Sequence, residues 1–223
     1  MLSAMSDPLI LGIETSGILC SIAWWKNNEV LLEFNIERKN AHATLLAQLV
    51  ENGMQELNII PEDLSCIAIS SGPGSFTGLR IGMSYAKGLS YGTDIPLVPV
   101  SNFEILAHTI KIRNIPVYTL IDARKNNYYT GVFNKNNSNL DEQYLLNITQ
   151  IEKIVPENAN IIIHEEQHRG VFAQTYQGKA NILKGDYGAV ITCSIAHQKF
   201  LKGDFTELER IEPLYLQAFA GVL

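Results

Sequence analysis

The stretch SCIAISSGPGSFTGLRIG, residues 65–82, decides the fold of this chain. Its first part, Ser65–Ser71, is a nearly continuous apolar run, which is typical of a short strand buried on both faces. The glycine-rich turn Gly72–Ser75 follows, and from Thr77 to Tyr91 small and apolar residues recur at helical spacing. The segment therefore predicts a buried strand, a tight loop and a helix in direct succession.

A meander and a helix are predicted before this segment. Asn27-Asn28 suits a tight hairpin because asparagine tolerates positive φ. From His42 to Leu57 apolar residues recur at helical spacing, with Asn40 as the expected cap. The predicted strands of the meander are Leu9–Ile13, Cys20–Trp25 and Val30–Ile36.

A second β-rich region begins after a strand at Leu97–Val100 and a helix that opens with the capping box Ser101-x-x-Glu104. No internal repeat is legible in the residues. The order β-β-β-α-β-α-β-α followed by a new β-rich start predicts an α/β chain of two lobes, residues 1–107 and 108–223. Its further predicted elements are strands Pro116–Ile121, Tyr128–Phe133 and Ile161–Ile163, a polar loop Asn134–Asn139 and a helix Tyr187–Leu201.

Composition narrows the class of protein. With 223 residues, of which 46% are hydrophobic and 18% charged, the chain is expected to form a packed globular protein. The formal net charge of −6 argues against an extended basic surface for a polyanion, so any contact with nucleic acid is expected to be local or shared with a partner.

Cysteine usage and the amino terminus favour the cytoplasm. Cys20, Cys66 and Cys193 form no C-x-x-C pair, so neither a disulfide framework nor a zinc ribbon is supported. The segment Met1–Pro8 has no basic and no apolar region, and no apolar run approaches the roughly 18 residues that span a bilayer. We expect neither export nor a membrane anchor, and Met1–Ala4 receives no role.

Two loops are candidates for binding an anion. The glycine loop, with Gly72, Gly74 and Ser75, joins a strand to a helix amino terminus, where backbone N–H groups and the helix dipole favour phosphate. The loop Glu14–Gly17 offers a carboxylate and the hydroxyls of Thr15 and Ser16, and such a loop can wrap a phosphate or hold a hydrated cation. The alternative is that both are tight turns with a purely structural role, and no Walker motif is present.

Two further groups carry charged or metal-ligating side chains. His164-Glu165-Glu166-Gln167-His168 matches H-E-x-x-H, but it follows a strand directly and leaves only about a turn and a half of possible helix, so we interpret it as a chance match. Asp122-Ala123-Arg124 ends a predicted strand, where it would orient a substrate or form a structural ion pair. No Ser-His-Asp arrangement and no G-x-S-x-G is present.

Three stretches, Ile10–Ser16, Ser70–Gly82 and Ile121–Arg124, are similar to the motifs of the TsaB (YeaZ) family. The resemblance extends along most of the chain and is weakest from about Leu140 to Lys184. It implies a two-lobed fold of the actin, Hsp70 and sugar-kinase type (ASKHA, ribonuclease H-like). It also implies a role in making threonylcarbamoyladenosine, the modified base beside the anticodon of tRNAs.

The resemblance implies a non-catalytic role. TsaD, the catalytic relative, carries two metal-binding histidines in a Val-Asn-His-x-x-x-His segment, where this sequence has Asn102 and Leu106. An aliphatic side chain cannot bind a metal and an amide is a poor substitute for imidazole, so we expect no metal site and no catalytic residue. Other departures from the family are Glu14, where Asp is usual, and Gln217, where Arg commonly follows Tyr215-Leu216.

The resemblance also implies partners. The helices at residues 42–57 and 77–91 are expected to pack against a TsaD-type subunit, with a TsaE-type ATPase joining the pair, and to form a homodimer in the absence of TsaD. tRNA would be met only through the complex. No cofactor is expected for this chain alone, and ATP, ADP or threonylcarbamoyl-adenylate would belong to the complex. The expected interface residues are His42, Leu45, Leu49, Gly78, Leu79, Arg80, Gly82, Met83 and Ala86.

Two alternative functions remain open at this point. One is a nucleotide hydrolase or phosphotransferase that uses Glu14-Thr15-Ser16 and Gly72-Pro73-Gly74 as phosphate loops, as in the wider superfamily. The other is a metallopeptidase resting on His164 and His168. Calorimetry with ATP and magnesium, and metal analysis of the purified chain, separate these alternatives from an assembly subunit.

Overall fold

The computed structural model describes residues 7–38, 42–110, 114–134, 140–164, 166–206 and 208–216. Met1–Ala4, the predicted cap Asn40, Gln217 and residues 135–139 of the predicted polar loop lie outside the described residues. The chain divides into two compact units. Unit 1 consists of Met1–Ser101 and Gly188–Pro213, and unit 2 consists of Asn102–Tyr187 and Leu214–Leu223.

Unit 1 is a five-stranded sheet covered by helices on both faces. Its elements are β1 (Ile10–Glu14), β2 (Leu19–Lys26), β3 (Glu29–Glu37), α1 (His42–Leu57), β4 (Cys66–Gly72), α2 (Phe76–Thr93), β5 (Leu97–Ser101) and α6 (Ala189–Leu201). The strand order is β3-β2-β1-β4-β5, with β1, β4 and β5 parallel. Gly12 and Ile13 are successive residues of β1 and therefore point to opposite faces of the sheet. Ile13 contacts Gly82 of α2 and Gly12 contacts Cys193 of α6, so α2 and α6 lie on opposite faces.

Unit 2 has the same topology. Its elements are α3 (Asn102–His108), β6 (Val117–Asp122), β7 (Asn127–Phe133), β8 (Glu142–Asn147), α4 (Ile148–Ile154), β9 (Asn160–Ile163), α5 (Glu166–Thr175) and β10 (Asn181–Lys184). The strand order β8-β7-β6-β9-β10 repeats that of unit 1, and β6 is parallel to β9 as β1 is to β4. A structural repeat is therefore present although the sequence shows none.

Each unit contains a helix that directly follows the last strand of the other unit in the chain. The helix α3 follows the last strand of unit 1, but its side chains Phe103 and Leu106 are fully buried in the core of unit 2. The helix α6 follows the last strand of unit 2 and returns to unit 1, where Cys193 contacts β1. The division therefore differs from the predicted boundary after residue 107, because packing rather than chain order assigns these helices.

The first half of the chain folds as its pattern predicts. The hairpin between β2 and β3 turns at Asn27 and Asn28, whose φ values of 55° and 59° confirm the predicted tight turn. The apolar face of α1 includes Leu46 and Val50, which are 1% exposed and belong to the core of unit 1. Burial of these side chains, at about 1.5–3 kcal/mol each, holds α1 on the sheet.

Four elements of unit 2 escape the sequence analysis, namely β8, α4, α5 and β10. β8 and β10 are mostly exposed, so they lack the apolar run on which a strand prediction depends. The prediction of only a turn and a half of helix after Ile163 is wrong, because α5 has ten residues. It continues through Gly170 since Phe172 and Tyr176 pack into the core of unit 2.

None of the helices in the described part of the chain is long and apolar enough to cross a membrane.

Candidate functional site

Two loops of unit 1 meet at the amino terminus of α2. The backbone N–H of Ser75 donates to the carbonyl of Ser16 across 2.7 Å, and the hydroxyl of Thr15 donates to the carbonyl of Gly78 across 2.8 Å. Ser75 caps the helix by accepting a hydrogen bond from the Gly78 N–H at 3.2 Å. The first loop therefore fixes the end of α2 through backbone and side-chain bonds.

Glu14 stands at the end of β1 beneath this junction and is 1% exposed. Its Oε1 accepts from the Ser16 N–H across 2.6 Å and from the Ser16 hydroxyl. Apart from the Ser70 hydroxyl, no described residue offers its buried Oε2 a hydrogen-bond partner. Burial raises the pKa of the Glu14 carboxyl above its ordinary value of 4.5, and the Ser16 donors and, more weakly, the Ser70 hydroxyl oppose that shift.

Glycine allows the close approach between α2 and the first loop. A Cβ at Gly78 would lie 2.0 Å from the Thr15 carbonyl oxygen, and a Cβ at Gly82 would lie 2.3 Å from the Thr15 hydroxyl oxygen. Real Cβ atoms do not approach other atoms so closely, so these two positions require glycine. The contact explains the spacing of four residues between the glycines, which places both on one side of the helix.

The candidate anion-binding residues all lie at this junction. Thr15 and Ser16 are buried, and their hydroxyls already donate to Gly78 and Glu14. Ser75 uses its N–H on Ser16, while Gly72 has a φ of 100° that a side chain would strain and Gly74 is half-buried. The structure thus assigns structural partners to the hydroxyls of Thr15 and Ser16 and to the N–H of Ser75.

The small and apolar residues of α2 that were expected to contact a partner face the sheet of unit 1 instead, which corrects the prediction from the sequence. Gly78, Leu79, Gly82, Met83 and Ala86 are buried against the sheet of unit 1. Gly82, for example, contacts Ile13 and Ile69 of the strands beneath it. The small residues therefore serve close packing of α2 on its own sheet, which a spacing pattern alone cannot distinguish from docking.

The expected interface residues of α1 are also largely internal. His42 is 9% exposed, and its Nε2 lies 3.0 Å from the carbonyl oxygen of Leu19. Leu49 is 8% exposed, while Leu45 is half-buried at the edge of the core. Of the named residues on the two helices, Arg80 alone is exposed, with its guanidinium 3.8 Å from the centre of the Phe76 ring.

The outer face of α1 and α2 is a different set of residues. The two helices contact each other on the same side of the sheet. On α2, Ser84 and Gly88 follow Arg80 at spacings of four, and a Cβ at Gly88 would meet no atom within 4 Å. Tyr91 ends this ridge and is 80% exposed. We call the exposed residues Ala43, Ala47, Gln48, Glu51, Arg80, Ser84, Gly88 and Tyr91 the outer face.

The outer face combines small, polar and aromatic residues with few charges. Glu51 of α1 lies close enough to Tyr85 of α2 that its charge, together with burial, raises the pKa of the tyrosine. The sequence carried a signal for this face, because Ser84 and Gly88 also recur four residues apart. It was missed because the inward stripe at Gly78, Gly82 and Ala86 gave the same pattern more strongly.

Asp122 and the two histidines of the H-E-x-x-H match lie in unit 2. His168 on α5 places its Nε2 3.8 Å from Oδ2 of Asp122. The Nδ1 of His164 lies 3.2 Å from the carbonyl oxygen of Gly185, and its ring stacks on Tyr187 with centroids 4.3 Å apart. The two imidazoles therefore have different neighbours. Glu165 lies outside the described residues.

Asp122 and Arg124 meet through the backbone. The N–H of Arg124 lies 3.3 Å from Oδ1 of Asp122, while the Arg124 side chain is exposed. Arg124, Lys125 and Asn126 all adopt positive φ, so the turn after β6 is a left-handed segment without glycine. The carboxylate of Asp122 thus joins this turn to α5 through His168.

The positions that correspond to the TsaD histidines are internal in this chain. Asn102 and Leu106 are both fully buried on α3, where Leu106 belongs to the core of unit 2. Within residues 7–216, as far as the structure describes them, no group of three or more His, Cys, Asp or Glu side chains is placed to hold a metal ion. The chemistry available at Leu106 is apolar packing.

The three cysteines are buried and unreactive in character. Burial raises the pKa of Cys20 to about 11 and that of Cys66 to about 12. The pKa of Cys193 is raised in the same direction, with burial as the main cause. Because the thiolate is the nucleophile, none of the three is suited to covalent catalysis.

A family model described as TsaD, tRNA N6-adenosine threonylcarbamoyltransferase, matches residues 30–199. Three curated relatives are each named tRNA threonylcarbamoyladenosine biosynthesis protein TsaB. The Bacillus subtilis (strain 168) protein is 34% identical over 133 residues, 60% of this chain and 58% of that protein. The Escherichia coli (strain K12) protein is 28% identical, with 93% and 94% covered. The protein of Buchnera aphidicola subsp. Schizaphis graminum is 31% identical, with 66% and 72% covered.

Solved structures are similar over nearly the whole chain. A Pseudomonas aeruginosa protein described as similar to peptidase YEAZ superposes with a TM-score of 0.79 at 23% identity, covering 96% of this chain and all of that one. The inorganic polyphosphate/ATP-glucomannokinase of Arthrobacter sp. strain KM superposes with a TM-score of 0.52 at 9% identity, covering 89% and 99%. The fold is therefore that of the actin and sugar-kinase type, as the family resemblance implies.

Proposed function

Because this chain belongs to the TsaB (YeaZ) family of tRNA threonylcarbamoyladenosine biosynthesis proteins, we propose that it is the non-catalytic subunit that binds a TsaD-type catalytic subunit through the outer face of α1 and α2. In this assembly the partner transfers the threonylcarbamoyl group, and a TsaE-type ATPase joins the pair. The chain itself contributes a docking surface, works in the cytoplasm and meets tRNA only as part of the complex.

One observation carries this proposal. The ridge formed by Ser84 and Gly88 is exposed, and the space around Gly88 is open, so another helix can approach the backbone of α2 closely. Tyr91, which is 80% exposed, adds an amphipathic ring of the kind enriched at interfaces. The inward stripe at Gly82 is already filled by the sheet and cannot serve this purpose.

The composition of the outer face also supports self-association in the absence of the partner. Ala43 and Ala47 on α1 and Gly88 on α2 present little side-chain bulk, and the two charged groups, Glu51 and Arg80, are opposite in sign. A pair of helices related by a two-fold axis would bring such a face onto its own copy. We therefore expect a homodimer that the TsaD-type subunit replaces.

The test uses two matched glycines. Gly88→Arg places a long charged side chain on the outer face, and Gly170→Arg places the same side chain on α5 of unit 2, where a Cβ likewise meets no atom within 4 Å. Both sites are in helices, and arginine favours a helix more than glycine does, so both variants are expected to fold. Circular dichroism and tryptophan fluorescence check this directly.

The expected result is a loss of affinity for the purified TsaD-type subunit of at least about tenfold in Gly88→Arg, and unchanged affinity in Gly170→Arg. Calorimetry gives the affinity, and reconstituted tRNA modification should fall in parallel with it. Full modification by Gly88→Arg, or the absence of any complex between the folded wild-type chains, would contradict the proposal.

A further inference from the structure

Two buried polar side chains stand side by side at the ends of neighbouring strands. β1 and β4 are parallel, and the register pairs Ile13 with Ile69, so Glu14 and Ser70 are the next residues along each strand. Each is 1% exposed. The Oε2 of Glu14 and the Oγ of Ser70 are both buried and have no hydrogen-bond partner elsewhere in the described residues, while the two side chains are close enough to bond to each other.

Among the described residues, no lysine or arginine acts on the pKa of Glu14 to stabilise a carboxylate. The described groups that affect its pKa are the N–H and hydroxyl of Ser16 and the hydroxyl of Ser70. On β2, β4, α2 and α6, which contact β1, the buried titratable groups among the described residues are Cys20, Cys66, Cys193 and His197. His42 has its ring nitrogen at the Leu19 carbonyl, and Cys193 has its sulfur at the Ala23 carbonyl. From α2, the residues against the loop are Gly78 and Gly82.

We propose that Glu14 is buried as a neutral carboxylic acid whose Oε2–H donates to Ser70 Oγ, and that this acid positions the loop Glu14–Gly17 and, through it, the amino terminus of α2. Oε1 then acts as the carbonyl acceptor for both donors of Ser16, and both atoms left without a partner are satisfied by one hydrogen bond. The effect on docking rests on the proposed function, whereas the protonation state does not.

A chain of contacts links the acid to the docking helix. Ser16 is held by Glu14, its carbonyl accepts the N–H of Ser75, and Ser75 caps α2. The neighbouring Thr15 bonds to Gly78 in the first turn of the same helix. A change in the position of Ser16 is therefore transmitted to α2, which carries Arg80, Ser84 and Gly88 of the outer face.

The proposal fixes the sign of a pH dependence. Burial raises the pKa of Glu14 in the folded chain above the ordinary value of 4.5 that it has when unfolded. Between those two pKa values folding takes up a proton, so stability is fully present below 4.5 and is lost as the pH rises toward the folded pKa. Glu14→Gln keeps an acceptor and a donor in the same places and has no such dependence.

The experiment measures denaturant unfolding of wild type and Glu14→Gln between pH 5 and pH 8, followed by the fluorescence of Trp24 and Trp25, both on β2 of unit 1. Between the unfolded and the folded pKa of Glu14, the unfolding constant of wild type should rise relative to that of Glu14→Gln by about tenfold per pH unit. Glu56→Gln, an exposed site on α1, serves as the control and should run parallel to wild type. If the unfolding constant of wild type divided by that of Glu14→Gln is independent of pH, or falls as the pH rises, Glu14 is not buried as a neutral acid.

A measurement on the wild-type chain keeps the test decisive if Glu14→Gln fails to fold. The 13C shift of the Glu14 carboxyl carbon should remain that of the protonated acid at a pH where the exposed glutamates have already titrated. A Glu14 signal that titrates together with the exposed glutamates would overturn the proposal.

The positioning role is tested separately by affinity for the TsaD-type subunit. Glu14→Ala removes the acceptor of both Ser16 donors and should weaken binding several-fold, whereas Glu14→Gln should restore it. Ser16→Ala, which removes one of those donors and keeps the acid, should weaken binding less than Glu14→Ala. Wild-type affinity in folded Glu14→Ala would overturn the positioning role, while Gly88→Arg against Gly170→Arg still decides the docking function.

Discussion

The hydroxyl of Thr15 donates to the backbone carbonyl of Gly78 across 2.8 Å, and this bond joins the loop after β1 to the first turn of α2. Both residues are buried, and the bond spans 63 positions of sequence. The same threonine contacts Gly78 with its carbonyl oxygen and Gly82 with its hydroxyl oxygen. One residue, through its carbonyl oxygen and its hydroxyl, thus sets the distance between the first strand and the helix whose opposite side is the outer face.

Replacing Thr15 by valine should cost about 1 kcal/mol of stability, because it removes a buried hydrogen bond while keeping nearly the same volume. Thr175→Val removes a comparable side-chain bond to the Val171 carbonyl at an exposed position of α5 and should cost less. Equilibrium denaturation of both variants provides the comparison. An equal effect at the two sites would mean that the Thr15 bond has no special weight.

Alanine at Gly82 and at Gly88 should act in opposite directions, although both glycines lie in α2. At Gly82 the new Cβ would lie 2.3 Å from the Thr15 hydroxyl oxygen, so we expect destabilisation of about 1–3 kcal/mol. At Gly88 the Cβ enters open space, and the better helix propensity of alanine should stabilise the chain by up to about 1 kcal/mol. Thermal unfolding would show the two midpoints moving apart, and a shared direction would contradict the assigned orientation of the helix.

The three thiols should resist modification in the native chain. With a pKa of about 11, Cys20 is a thiolate in only about one molecule in a thousand at pH 8, and Cys66 in fewer. A chromogenic disulfide reagent should therefore release little colour from native protein and the signal of three thiols after unfolding in denaturant. Rapid labelling of one thiol without denaturant would show that the unit opens locally at that residue.

Purified chain should not retain stoichiometric zinc through His164 and His168. The imidazole of His164 contacts Gly185 and Tyr187, whereas that of His168 contacts Asp122. The geometry is therefore not that of a two-histidine metal site. Elemental analysis after dialysis measures the metal content. One zinc per chain that disappears in His164→Ala would revive the metallopeptidase alternative.

The contact between Asp122 and His168 is expected to contribute little to stability. The two side chains are 29% and 33% exposed, and Oδ2 of Asp122 lies 3.8 Å from Nε2 of His168, so solvent screens the pair. Asp122→Asn should therefore change the free energy of unfolding by less than about 1 kcal/mol. Equilibrium denaturation measures this change, and a larger loss would point to a role of Asp122 in shaping the left-handed turn.

Sequence reasoning succeeded where a local pattern and the core agreed. The strand, loop and helix at residues 65–82 were predicted because contiguous apolar residues, glycine and helical spacing each constrain the backbone locally. It failed for β8 and β10, which are short and mostly exposed and are held by pairing with neighbouring strands. It also misplaced the docking stripe, because spacing four residues apart reports a helix face but not what covers that face.

The sequence by itself determined the family, the element order of the first lobe and the replacement of the TsaD histidines by Asn102 and Leu106, since these depend on residue identity and local period. Only the tertiary structure decided that Gly78 and Gly82 face Thr15, that α3 and α6 change units, and that Glu14 is buried beside Ser70. These facts depend on which surfaces meet after folding. Close packing between residues far apart in the chain decides which surfaces meet, and a local sequence pattern carries no information about that packing.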